Sequence, residues 1–294
     1  MIFRSSANLN KSRIFPWWKI LLFGGLFLAT LYFLFPPALF LKSIETNPEP
    51  NQLTAVYLKN LIEKYPHNVD LKISLGEQEL SEGHLPEAEK IINTYYTQTP
   101  KTDLEWKVFW LHYLLLRTKT YALENSDATR KVQEAQLAAL IPAFLHSPVL
   151  TIDEITILAD DALANDNSQL AVDLYKKAET LPNQKTIAFY EQAAKAALFA
   201  KSYQDSANFY LEAMGESTTL PQKKLFFMKA VDSIQEAGSA SVALGFARKH
   251  VAGLEHDQDV LIYLAQLALS ANDTQGAEGY IKEALKLEYR ERRG

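Results

Sequence analysis

A phrase of small and apolar residues recurs along the chain at intervals near thirty-four. Its first clear copy is Leu75-Gly76, Gly83, Ala88, Ile92 and Pro100. A second runs Leu158-Ala159, Asp166, Ala171, Tyr175 and Ala178, and a third Tyr190, Ala193-Ala194, Ala197, Ser206, Tyr210 and Ala213. Ala230, Ile234, Gly238, Ala243 and Ala247 form a weaker fourth, before Leu261, Leu264-Ala265, Ala268, Ala277, Ile281 and Ala284. Taking the small residue of each second half as marker, Ala171 to Ser206 is 35, Ser206 to Ala243 is 37 and Ala243 to Ala277 is 34. Such a period is two helices and a turn, a unit that cannot bury its apolar faces alone and must stack on its neighbours.

Two departures from the period carry information. Pro66 lies thirty-four places before Pro100, which predicts a helix over Leu53 to Tyr65 that buries Val56, Tyr57 and Leu61 against the first copy. From Ala88 to Ala171 the step is 83, two periods and fifteen residues, so one enlarged repeat is expected over residues 104–150. Its first helix, Leu104 to Arg117, is aromatic (Trp106, Phe109, Trp110, Tyr113), Ser126 or Asp127 is expected to cap a longer helix, and Pro142 to kink it.

The pattern resembles the tetratricopeptide (TPR) repeat, with its large residue, Leu-Gly or Ala-Ala pair, and alanine where two helices touch. That resemblance implies a right-handed helical solenoid over residues 53–294 whose first helices line a concave groove for protein or peptide partners. Trp106, Trp110 and Tyr113 are the binding residues this reading selects, although tryptophans four apart on a helix are more often core than binding groove.

The amino terminus predicts something else. Between Pro16 and Phe35 the only charge is Lys19, and a helix of twenty residues reaches about 30 Å, the depth of a bilayer's hydrocarbon. Trp17 and Trp18 flank its start and Pro36-Pro37 its end. The expectation is a cytoplasmic start at 1–15, a transmembrane anchor at 16–41 and a linker at 42–52. Three basic residues (Arg4, Lys11, Arg13) precede the span, Lys19 sits at its entry and only Lys42 closely follows, which points to a single-pass inner-membrane protein with periplasmic repeats. A cleaved signal peptide is the rival, less suited to so long an apolar stretch without a small-residue cleavage site.

Chemistry is sparse. Cysteine is absent, which excludes disulfides, thiol catalysis and thiolate metal sites. Residues 1–42 hold five of the 30 basic residues and no acid, leaving 25 against all 35 acidic ones, a net of −10. That balance argues against nucleic-acid binding, which needs a basic stripe. The six histidines stand singly, outside any HExxH pattern, and are expected at the surface or at helix caps. There is no phosphate-binding GxxxxGK[ST] loop and no GxSxG elbow. Asp160-Asp161 and Asp257-Gln-Asp259 read as a helix face and an inter-repeat loop. No cofactor or metal is expected, and an enzyme with an unrecognised site is the remote alternative.

Two further readings concern the ends. The last repeat stops at Tyr289-Arg290-Glu291-Arg292-Arg293-Gly294, so its apolar face is either solvated by Lys286, Arg290, Arg292 and Arg293 or covered by another polypeptide or a continuation of this one. From Leu34 to Ile92, a proline break, the segment from Leu53 to Pro66 and the Leu75-Gly76 copy together resemble the beginning of a Pel-type exopolysaccharide secretion scaffold. This chain departs from that family in lacking its many further repeats and its outer-membrane β-barrel. The resemblance implies an arm that recruits polymer-modifying enzymes in exopolysaccharide assembly or export. An inner-membrane chaperone or translocon accessory has the same layout.

Overall fold

The structure, a computed structural model, describes residues 52–123, 128–182 and 185–291. The described residues are helical throughout: α1 (Gln52–Lys64), α2 (Val69–Ser81), α3 (Leu85–Tyr95), α4 (Asp103–Tyr121), α5 (Ala128–Leu140), a 3-10 turn (Ile141–His146), α6 (Ile152–Ala164), α7 (Ser168–Glu179), α8 (Ile187–Phe199), α9 (Tyr203–Glu216), α10 (Leu220–Glu236), α11 (Ala240–His250), α12 (Gln258–Ser270) and α13 (Thr274–Glu291). The chain divides into two compact units, residues 1–91 and 92–294.

In the first unit α1 packs on α2 around Ala55, Leu58, Leu71 and Leu75, with Leu61, Ile62 and Ile91 at the rim. The face of α1 differs from expectation. Val56 is exposed, because Ala55 and Leu58, three apart and one residue round the helix, make the contact.

In the second unit each helix from α6 onward packs on the next. Every marker is buried: Ala171, Ser206, Ala243 and Ala277. Without bulk at these positions the two backbones of a hairpin approach closely. The turn between them is specified just as locally. Five residues before each marker stands a residue in the left-handed region: Asp166 (φ 57°), Lys201 (φ 56°), Gly238 (φ 109°) and Asn272 (φ 59°), and in the first unit Gly83 (φ 81°) before Ala88. The amide after four of them donates back to a carbonyl one turn inside the first helix, as in Asn167 N to Ala162 O at 2.9 Å and Ser202 N to Ala197 O at 2.8 Å. This is the Schellman closure, which ends one helix and sets the angle at which the next departs. Gly253 (φ 83°) serves a separate loop before α12.

The stretch expected as an enlarged repeat holds α4, α5 and the 3-10 turn. Thr102 opens α4 with a capping box, its hydroxyl accepting from Glu105 N at 3.3 Å while the Glu105 carboxylate accepts from Thr102 N at 3.1 Å. Pro142 ends α5 rather than kinking it, since proline cannot supply the amide that an α-helix needs there. The tighter turn swings Phe144 back into the core. The expected caps Ser126 and Asp127 lie outside the described residues.

One expectation is corrected. Among the described residues no helix is long and apolar enough to cross a membrane. The longest, α4, carries Asp103, Glu105, Lys107, Arg117 and Lys119 along its nineteen residues, and charges at such density forbid immersion in hydrocarbon. The described residues therefore form an all-α array of hairpins, with no transmembrane helix among them. The single-pass inner-membrane placement with periplasmic repeats loses its support, and the stretch on which it was based, residues 16–41, lies outside the described residues.

Candidate interaction surface

Of the four steps between the first helices of successive hairpins, α4, α6, α8, α10 and α12, three are tied by polar side chains. Between α4 and α6 the tie is buried. Asp161 accepts from the Tyr113 hydroxyl at 2.5 Å, from Arg117 Nε at 2.6 Å and Nη2 at 3.3 Å, and from the Tyr121 hydroxyl at 2.9 Å. Burial and then the bond to Asp161 push the Tyr113 hydroxyl far above its ordinary range. Burial and the adjacent Asp161 charge also raise Asp160. The aspartate pair read as one helix face is thus split, with Asp160 exposed and Asp161 enclosed.

Further along, Glu191 of α8 holds Lys229 of α10 at 2.9 Å. Lys224 of α10 reaches Asp257 at 3.1 Å and Asp259 of α12 at 2.6 Å, and the Tyr263 hydroxyl donates to Asp232 at 2.6 Å. Burial, followed by that bond, raises Tyr263.

The step from α6 to α8 is different. Among the described residues no hydrogen bond or ion pair crosses it, and a cleft of roughly 630 Å³ opens there instead. Thr151, Ile152, Asp153, Thr156 and Ile157 line one wall, and Thr186, Ala188, Phe189 and Gln192 the other. Thr151 and Thr186, thirty-five residues apart, are N-caps of equivalent helices. Their hydroxyl oxygens accept from Glu154 N at 3.3 Å and Phe189 N at 3.2 Å, and each hydroxyl keeps a proton that it can donate. Ile152, Ile157 and Phe189 supply apolar wall. Asp153 is the one titratable side chain in the lining, so no acid and base converge there. A cleft of this size and lining can take an apolar side chain and hydrogen-bond the backbone beside it.

The three residues selected from the sequence sit elsewhere. Trp106, Trp110 and Tyr113 surround Phe144, with ring centroids 6.3, 5.8 and 5.4 Å from it. Tyr113 is fully enclosed and Trp106 nearly so, while Trp110 keeps part of its surface. Sequence reasoning missed the cleft. The signal for it was Thr151-x-x-Glu154, a capping box that marks where a first helix begins, with Thr186 one repeat later.

In the first unit Glu79, almost fully buried, meets Lys59 at 2.7 Å and His84 Nδ1 at 2.8 Å. Burial alone would raise its carboxyl, yet the bonds from Lys59 and His84 outweigh that and hold it below the ordinary range. Glu82 stands 3.5 Å from the same imidazole. With Lys59 already neutralising Glu79, the cluster is a satisfied buried carboxylate.

No protein-family profile matches the chain, and no curated protein matches it. Among solved structures, the chain is similar to the C-terminal part of a TPR repeat-containing protein from Cytophaga hutchinsonii, at 14% identity and a TM-score of 0.40, over 79% of this chain and 88% of that one. None of these comparisons supports the likeness to a polysaccharide-secretion scaffold.

Proposed function

We propose that the protein is a non-catalytic interaction scaffold, and that the cleft between α6 and α8 receives an extended segment of a protein partner. The observation that carries this reading is the break in the polar ties. The other steps described above are closed by ion pairs or buried hydrogen bonds, whereas this one leaves an apolar wall flanked by the hydroxyls of Thr151 and Thr186. The TPR-like sequence pattern adds support, since arrays of that family bind partners along their first helices. Of the aromatic trio, Trp110 alone retains surface with which to extend such a site, and Trp106 and Tyr113 act through the core that carries α4. Protein partners are the extent of the proposal, and no polysaccharide-secretion component enters it.

The test is peptide selection. Panning a random peptide library against the purified protein is expected to yield a consensus with one apolar anchor. Ala188, exposed on the cleft wall, is replaced by arginine, which fills the cleft without entering the core. The selected peptides should bind Ala188→Arg about tenfold more weakly. Undiminished binding to that variant overturns the assignment of the cleft.

A further inference from the structure

The open step lacks a bond that the two steps after it make. Fourteen residues before each marker, the first helices place Gln192 in α8, Lys229 in α10 and Tyr263 in α12. Lys229 and Tyr263 each reach back to a carboxylate of the preceding first helix, Glu191 at 2.9 Å and Asp232 at 2.6 Å. Gln192 lines the cleft and reaches nothing on α6. The place of Asp232, eleven residues before its marker, is held in α6 by Asp160, which is exposed and has no ion-pair partner among the described residues.

Asp160 is one of two such carboxylates on this wall. Asp153, Thr156, Ile157 and Asp160 follow at three- and four-residue intervals and share one face of α6. Seven residues of helix separate the two acids by about 10 Å, with Ile157 between them. The cations close by in sequence or in space are engaged elsewhere. Lys185 donates to Leu181 O and Glu179 O, Lys195 pairs with Glu191 at 3.5 Å, and Arg117 is held by Asp161 at 2.6 Å. Burial and the Asp161 charge hold the Asp160 carboxyl above its ordinary range, a penalty that a cation brought beside it relieves.

We propose that the segment entering the cleft is basic as well as apolar: one apolar side chain seats against Ile152, Ile157 and Phe189, and lysine or arginine two places to either side meets Asp160 and Asp153. This inference rests on the cleft being the binding site and adds the chemistry of its occupant. In an extended segment alternate side chains share a face and stand roughly 6.5 Å apart, so a basic, an apolar and a second basic side chain span slightly more than the carboxylates do. The flexible stem of a lysine absorbs that difference.

The probes are short synthetic peptides of serine and glycine with a central leucine, flanked two places to either side by lysine, glutamine or glutamate. Measured by fluorescence anisotropy against the full-length protein, the lysine peptide is expected to bind about tenfold more tightly than the glutamate peptide, with the gap narrowing as salt is raised. Asp153→Asn and Asp160→Asn should each weaken the lysine peptide about threefold and leave the glutamine peptide unchanged. Helical circular dichroism should stay level, because both side chains are exposed. Reversing the charge on the peptide tests the preference with no change to the protein. Equal affinity for lysine and glutamate peptides, both lost in Ala188→Arg, overturns this inference and leaves the cleft as the binding site. Failure of every peptide to bind, or binding indifferent to Ala188→Arg, overturns the cleft and this inference with it. The inference is also overturned if a photoreactive side chain at position 188 cross-links, in the free protein, to residues 1–51 of the same chain, since the cleft then holds a segment of its own polypeptide.

Discussion

Asp161 accepts hydrogen bonds from Tyr113, Arg117 and Tyr121, which stand four residues apart along a single stripe of α4. Enclosed carboxylates are costly unless every lone pair is met, and here a guanidinium and two hydroxyls meet them. Asp161→Ala strands the Arg117 charge and the Tyr113 hydroxyl, and is expected to cost about 3 kcal/mol in urea unfolding. Tyr121→Phe, which leaves Asp161 its other partners, should cost less than about 1.5 kcal/mol. If the two variants cost the same, the carboxylate is not the centre of the tie. Nothing near Asp161 in the chain announces this role, because its partners lie 40 to 48 residues away. The spacing of Tyr113, Arg117 and Tyr121 was visible, but a stripe shows that side chains share a face and not what they face. For the same reason Trp106, Trp110 and Tyr113 could be read as groove or core. Phe144, brought round by the turn at Pro142, decides where they pack.

At the scale of the element, the hairpin turns are written in short-range code. A residue five places before each marker must enter the left-handed region, at a cost of about 1–2 kcal/mol for a side chain with a Cβ. Glycine meets that demand freely at Gly83 and Gly238, and Asn272 and Asp166 tolerate it through their short polar side chains. Lys201, at φ 56°, has neither advantage. Lys201→Gly is therefore expected to stabilise the protein by about 1 kcal/mol, seen as a raised thermal midpoint, whereas Gly238→Val should lower it. An unchanged or lowered midpoint for Lys201→Gly removes the backbone argument. The helix starts were legible in the same way, as Thr102 and Thr151 with a glutamate three places on. What α1 shows is the limit of this code. Its helix was predictable, but the face it buries was misjudged by one residue, because Val56 and Ala55 differ only in which of them α2 reaches.

For the molecule as a whole, tyrosines distributed over many repeats couple stability to pH. Burial, with an acceptor carboxylate at Tyr113, Tyr121 and Tyr263, raises the phenols of Tyr96, Tyr113, Tyr121, Tyr175, Tyr190, Tyr210 and Tyr263. A raised folded-state value means that the unfolded chain loses these protons first as pH climbs. The contribution is complete below the unfolded value near 10 and is lost above it. Thermal midpoints should hold level up to about pH 10 and then fall, with phenolate absorbance developing together with loss of helix. Phenolate formation in a still-helical protein contradicts the burial. A stack of hairpins spreads such effects, since each unit rests on its neighbours rather than on one central core. The sequence by itself determined the helical hairpin, its period, the left-handed turns and the small residues at its contacts, since each depends on residues within one repeat. Only the tertiary structure decided which steps between first helices close with polar ties and that one stays open as a cleft, because each is a relation between side chains on different repeats, which no local pattern encodes.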